Sequence, residues 1–380
     1  MIKLSDIARQ NLPLIDEFVR EFVRLTKESK FILRNEVSEF ELNIKNFLKT
    51  NYGAIGVNSG TDALFLAMQY ANLGRNSEVL VPSRTYIASV SAIHHVKAVP
   101  IFVDIGDDLN LNLDDLEAKI TPLTRAIMPV HLSGHPCNMD RILEIAKRNH
   151  LSVIEDAAQA IGAQFKGKAV GTFGNFGAIS LHPLKSLGVL GDGGLLLVKD
   201  EILSEQIRIF RDHAHPQPKI EENYMGFGIN SRLDNMQAAF ASIKLNYLDI
   251  WINRRRKIAK QYSESLMSTP LAIQAEKFLT SISQTSNYFD TFNSFVISVN
   301  DPLSFQSFML EGPNPVEVSR CFRKPLHNHP TLMKQLGTKQ AISLPKTEYY
   351  AERTISLPIY PELTDLEVEL ISEKINAYTY

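Results

Sequence analysis

The chain has 380 residues, 44% of them hydrophobic, and a net charge of −2. That length exceeds one ordinary core and points to about two domains, while the near-neutral charge excludes the basic footprint of a nucleic-acid binder. Two cysteines, Cys137 and Cys321, are too few for a disulfide framework or an iron–sulfur cluster.

The N-terminal stretch MIKLSDIARQNLPLIDEFVR carries Asp6, Arg9, Asp16 and Glu17, where a signal peptide needs an unbroken apolar run. No segment approaches the roughly 20 apolar residues of a membrane span. The expectation is a cytoplasmic protein, free of membrane and nucleic acid, with small-molecule partners and no metal site. Residues 12–30 space Leu14, Phe18, Phe22 and Leu25 helically, and 38–49 do the same with Phe40, Leu42, Ile44 and Phe47. Short β-rich runs follow at 54–57, 78–82, 98–104, 125–130, 151–156, 176–181 and 194–198, and helical stretches near 62–72, 86–96, 114–119 and 139–149 separate the early ones. Such alternation predicts βαβ units and a mostly parallel sheet flanked by helices. Ligands of such sheets sit beyond the carboxyl ends of the strands. From 201 to 212 and again from 233 to 264 the pattern is helical, and the second stretch is long enough to link two domains, 1–245 and 246–380. Residues 270–292 read as polar and turn-rich, 292–299 as a strand, 320–337 as an exposed loop, and the chain closes on an amphipathic helix.

The stretch ISLHPLKSLGVLGDGG (179–194) organises the rest. An apolar strand delivers Lys185 into a turn holding Gly188, Gly191, Gly193 and Gly194, where close backbone approach is wanted. Upstream, VIEDAAQAIGA (153–163) delivers Asp156 at another strand end. A lysine nucleophile beside such a carboxylate points to pyridoxal 5′-phosphate, whose aldehyde the lysine holds and whose pyridinium nitrogen the aspartate pairs with. The blander readings are a surface lysine and a capping aspartate. NSGTDALFLAMQ (58–69) opens a helix after the first strand. Its Ser59, Gly60 and Thr61 offer either an ordinary cap or a phosphate seat of free N–H groups. Tyr86 sits past the second strand, as a stacking aromatic or a helix-start residue. Gln159 lies one turn beyond Asp156 if DAAQA is helical, within reach of a phenolic oxygen. Ser180 can add a hydroxyl to the phosphate. His182 reads as a packing residue with a substrate contact as the alternative.

In that order, GVNSGTDAL, VIEDAAQAIGA, SLHPLKSLGVLGDGG and GFGINSRLDNMQAA resemble the DegT/DnrJ/EryC1/StrS family of sugar aminotransferases. The likeness runs over nearly the whole chain, including LHNHP with His327 and ISLPIYPELT. The resemblance implies fold type I pyridoxal-phosphate transferase architecture, with a large cofactor-binding domain and a smaller C-terminal α/β domain. It also implies a homodimer with shared active sites and transfer of an amino group from glutamate to a nucleotide-linked ketosugar. Carried over, it makes Lys185 the Schiff-base lysine and Asp156 the pyridinium partner, with Gln159 beside the ring and Tyr86 stacked on it. Gly60, Thr61 and Ser180 would hold the phosphate, and Asn230 would reach it from the other subunit. Where many members carry a glycine in a YILG-type segment this chain reads FILR, placing Arg34 at the edge of the site as a candidate substrate contact together with His182 and His327. The GDGG turn is closer to members that aminate the third sugar carbon. The rival readings are a dehydratase, which would carry histidine in place of Lys185, and a cofactor-binding regulator without turnover. A nicotinamide oxidoreductase lacks its G-x-G-x-x-G after the first strand.

Overall fold

Seven short apolar runs become the strands of one sheet: β1 (Gly53–Val57), β2 (Glu78–Pro82), β3 (Val99–Val103), β4 (Thr124–Ile127), β5 (Ser152–Asp156), β6 (Phe176–Ser180) and β7 (Gly194–Val198). The computed structural model describes residues 1–215, 223–266, 287–337 and 341–378. The strand order is β1-β7-β6-β5-β4-β2-β3. Helices Gly60–Tyr70, Ile87–His95, Leu113–Ala118 and Met139–Arg148 make the crossovers from β1 to β5, and β2 pairs in parallel with β3 and β4, as do β4 with β5 and β5 with β6. The exception is β7, antiparallel to both β6 and β1. No helix crosses between β6 and β7, so the chain returns on itself through residues 181–193, and an antiparallel partner is what such a return gives. That return loop carries Lys185.

Apolar residues on one face of the sheet meet the Gly60–Tyr70 and Ile87–His95 helices, and those on the other face meet the Asn35–Phe47 and Asn235–Leu245 helices in one core and the Leu113–Ala118 and Met139–Arg148 helices in another. The N-terminal Ile15–Glu28 helix buries Phe18 and Leu25 but leaves Phe22 half-exposed beside Val19 and Val23. Its apolar stripe is thus wider than the surface one chain provides for it. The helical stretch from 233 to 264 is two helices, Asn235–Leu245 and Leu248–Leu266, separated at Asn246 and Tyr247, whose N–H groups fold back onto Ile243 and Lys244.

The second of these helices borders two cores. Trp251 and Ile252 pack with the large sheet, while Ile258, Ala259, Tyr262 and Leu266 join a C-terminal core. That core surrounds a two-stranded antiparallel ribbon, β8 (Phe295–Ser298) with β9 (Thr354–Leu357), covered by helices Pro302–Leu310 and Asp365–Ala377. Ile2 packs there too, and its backbone bridges to Val316. The beginning of the chain therefore sits with the C-terminal core, although its sequence precedes the large sheet. The Asp365–Ala377 helix starts on a capping box between Thr364 and Glu367. The segment 270–292 falls partly outside the described residues, which resume at 287. Among the described residues no helix is long and apolar enough to cross a membrane, and no cluster of side chains has metal-ligand composition.

Candidate active site

The carboxyl ends of β5 and β6 and the helix after β1 open into one cavity of about 510 Å3, within the range that small-molecule sites occupy. Lys185, Asp156, Gln159, Gly60, Thr61, Ser180, His182 and Tyr86 all line it. Strand alternation aims the carboxylates of β5. Glu155 points behind the sheet, where it accepts the N–H groups of Gly171, Phe173 and Gly174, and Asp156, one residue on, faces the cavity. His131 also donates to Glu155; its Nδ1 accepts the Cys137 N–H, which assigns the proton to Nε2.

Asp156 is 5% exposed. Ser89 Oγ donates to its Oδ2 at 2.7 Å and the Ala158 N–H to its Oδ1 at 3.1 Å, while the Thr85 hydroxyl lies 2.8 Å from Ser89 Oγ. Ser89 and Thr85 were not singled out in the sequence. Their signal was in PSRTYIASVSA, where Ser89 falls one helical turn after Tyr86. Residues 157–160 form a turn, not a helix, so helical spacing does not place Gln159. It is held instead by the Ser133 N–H, which donates to its Oε1 at 2.8 Å.

Lys185 sits in the return loop, its N–H bonded to His182 O. The loop is drawn tight by Leu181 N–H to Gly193 O and Val189 N–H to Leu181 O, and the buried Lys244 ammonium donates to Gly188 O at 2.6 Å. A Cβ on Gly188 would lie 2.3 Å from Pro183 O, so only glycine lets the loop close. Burial lowers the Lys185 pKa below the ordinary lysine value against an opposing pull from the Asp156 carboxylate, which favours the nucleophilic amine.

The Gly60–Tyr70 helix begins on Ser59, whose Oγ accepts the Asp62 N–H. The N–H groups of Gly60 and Thr61 precede the first intrahelical bond and face the cavity at the positive end of the helix dipole. A Cβ on Gly60 would come within 2.9 Å of Ser180 Cβ, and one on Gly194 within 2.3 Å of the Ser59 carbonyl carbon. Two glycines thus let the helix start lie directly on the ends of β6 and β7. Pyridoxal 5′-phosphate needs an amine, a carboxylate and an anion seat. All three are gathered here, so the cavity fits the group.

Three candidates lie elsewhere. Asn230 is exposed and its backbone bridges to Asp212, outside the cavity of its own chain. Arg34 is exposed at the start of the Asn35–Phe47 helix, its N–H bonded to Asn235 Oδ1. His327 is buried and shut off from the cavity by its own bonds, Nδ1 to Ser83 Oγ at 2.7 Å and Nε2 to Glu348 Oε1 at 3.0 Å. Asp192 and Leu184 line the cavity without having been singled out.

This sheet order, with a lysine on the return loop facing an aspartate at a strand end, is that of a fold type I pyridoxal-phosphate transferase. Residues 13–376 match the DegT/DnrJ/EryC1/StrS aminotransferase family, and the chain belongs to it; members are pyridoxal 5′-phosphate enzymes. The dTDP-3-amino-3,6-dideoxy-alpha-D-galactopyranose transaminase of Aneurinibacillus thermoaerophilus is 37% identical over 383 residues, covering 100% of both chains. A pleiotropic regulatory protein of Geobacillus stearothermophilus is 35% identical over 376 residues, 98% of this chain and 97% of that one. Among solved structures, DesV of S. venezuelae in complex with a ketimine intermediate superposes with a TM-score of 0.89 at 33% identity, covering 98% of this chain and 96% of that one.

Proposed function

We propose that this aminotransferase moves an amino group from glutamate to a nucleotide-linked ketosugar, a dTDP- or UDP-hexose aminated at its third carbon, and that it does so as a cytoplasmic homodimer. The observation that carries the reading is the cavity itself, where a half-buried lysine and a buried, hydrogen-bonded aspartate line the same space beside an open helix start. The sugar and its position rest on the likeness to the dTDP-sugar transaminase and on the GDGG turn. The half-exposed Phe22 and the exposed Tyr86, Tyr224, Met225 and Phe227 supply apolar surface of the kind that a subunit interface covers.

Bound pyridoxal 5′-phosphate supplies an aldehyde to carry the amino group and a ring to take up the electron pair left when a carbon–hydrogen bond breaks. Lys185 Nζ would hold the aldehyde at rest and, freed by the donor amine, would be the base placed to carry a proton between the donor α-carbon and the carbon that bore the aldehyde. Asp156, kept in place by Ser89 and Ala158, would hold the proton on the ring nitrogen. Gln159 and Tyr86 would contact the ring, and Gly60, Thr61 and Ser180 would hold the phosphate, with Asn230 contributed by the partner subunit. Water would release the donor's 2-oxo acid and leave the amino group behind, and with the ketosugar in the same cavity Lys185 would carry the protons in the opposite direction. A regulator without turnover would not need an amine with a lowered pKa opposite a braced carboxylate.

Assaying dTDP-, UDP- and GDP-ketosugars with glutamate tests the substrate. One nucleotide class should turn over, with amination at the third carbon by NMR. Lys185→Ala should lose both turnover and the cofactor's visible absorption while remaining folded; full activity in that variant would remove the reading.

A further inference from the structure

The segment Asp290–Ser294, which leads into β8, is zipped along the turn Ser133–His135 behind the cavity. The Thr291 N–H donates to Gly134 O at 3.1 Å and the Ser294 N–H to Ser133 O at 3.3 Å. His135 Nδ1 lies 2.5 Å from Asp290 Oδ1, with both side chains buried. The fit admits no Cβ at Gly134, which has φ +88 and would place one 2.6 Å from Thr291 Oγ1. Ser133 itself is left-handed, at φ 60, a conformation that costs a non-glycine residue free energy and persists only where its surroundings impose it. What the turn delivers to the other side is the Ser133 N–H on Gln159 Oε1. The Leu248–Leu266 helix grips the same segment through Arg256 on Asp290 O at 2.8 Å and Arg255 on Phe292 O at 3.2 Å. Asn293 reaches Ser186, the neighbour of Lys185, at 3.5 Å.

We infer that His135 and Asp290 are a positioning pair for the reaction: they hold the Ser133 turn in its left-handed form and thereby fix Gln159 against the cofactor ring. The inference rests on the reading of Gln159 given above. No other bond among the described residues fastens the Gln159 side chain. Its amide oxygen is therefore only as well placed as the Ser133 N–H. The groups around the imidazole agree with a charged lock. Asp290 and the half-buried Asp108 face it and Tyr288 stacks on it at 5.2 Å. Burial pulls the imidazole down, but the bond to Asp290 and the charge of Asp108 outweigh this and hold His135 above its ordinary value.

Hydrogen exchange on the cofactor-free protein reads the lock without reference to the reaction. In Asp290→Asn, exchange in a peptide covering 131–137 should speed by about tenfold, with the peptides of β1 and β6 unchanged. In the loaded enzyme kcat should fall about tenfold with KM for the sugar unchanged, and most of that loss should vanish on a Gln159→Ala background. The His135 variants carry the same test independently: His135→Gln, which keeps a donor toward Asp290, should retain most of the activity and protection that His135→Ala loses. Unchanged exchange at 131–137 in these variants, or losses fully additive with Gln159→Ala, would overturn the inference. A fully active Lys185→Ala would instead remove the functional reading and leave the exchange result standing.

Discussion

A lysine taken out of water loses the solvation that favours its charge, and the lowered Lys185 pKa makes the stability of the cofactor-free protein depend on pH in a definite direction. Below the folded-state pKa the amine is protonated in both the folded and unfolded chains, and the folded protein bears the whole cost of burying the charge. Above the unfolded value of 10.5 the amine is neutral in both and that cost is gone. Cofactor-free Lys185→Met should therefore be more stable than wild type at pH 7, and the difference should shrink as pH rises toward 10.5. Denaturant titrations of both proteins across that range would show it, and a gap that widened with pH would contradict the burial of the amine. Asp156 calls for a different measurement. Asp156→Asn keeps the size of the side chain and can still meet Ser89, so the variant should fold and bind cofactor more weakly. It should lose most of kcat, because a neutral amide cannot hold a charged ring nitrogen. Wild-type kinetics there would reduce Asp156 to a structural group.

Among the elements, the start of the Gly60–Tyr70 helix and the ends of β6 and β7 depend on one another. Gly194 pairs with Val57 on one side and Ser180 on the other, and a Cβ there would meet backbone atoms of Ser59 and Gly60 at 2.3 to 2.6 Å. Backbone cannot swing aside as a side chain can. Gly194→Ala should cost about 1–3 kcal/mol of stability and weaken the phosphate seat, seen as a raised cofactor dissociation constant by fluorescence titration. A variant with wild-type cofactor affinity would show that the helix start does not hold the phosphate. Periodicity was enough to find the strands and crossovers, because β1 to β6 are short apolar runs with polar or turn residues between them. The antiparallel sense of β7 was not readable that way: GLLLV looks the same in either direction, and its sense depends on how residues 181–193 return.

Across the whole molecule, Asn230 stands outside the cavity of its own chain, and the segment 213–227 before it mixes polar residues with the exposed Tyr224, Met225 and Phe227, with 216–222 outside the described residues. If Asn230 completes the neighbouring subunit's site across a two-fold interface, a mixed dimer of one Lys185→Ala chain and one Asn230→Ala chain holds one site with both lesions and one with neither. Its activity should be about half that of wild type, well above either parent dimer. Activity no higher than the parents would place Asn230 and Lys185 of one chain in one site.

The residues proposed to do the chemistry were named from the sequence by itself, and the structure brings them to one cavity. Asp156, Gly60, Thr61 and Ser180 lie at strand ends or helix starts, where local pattern determines position, Lys185 follows in the loop after β6, and the order of their motifs carried the family. What surrounds them was decided only by the tertiary structure. Ser89 bracing Asp156, Ser133 holding Gln159, and the closed bonds of His327 join residues far apart in the chain, with separations of 67, 26 and 244 positions. Hydrogen bonds of that range leave no periodic trace, because each partner is an ordinary polar residue until the fold brings the other to it.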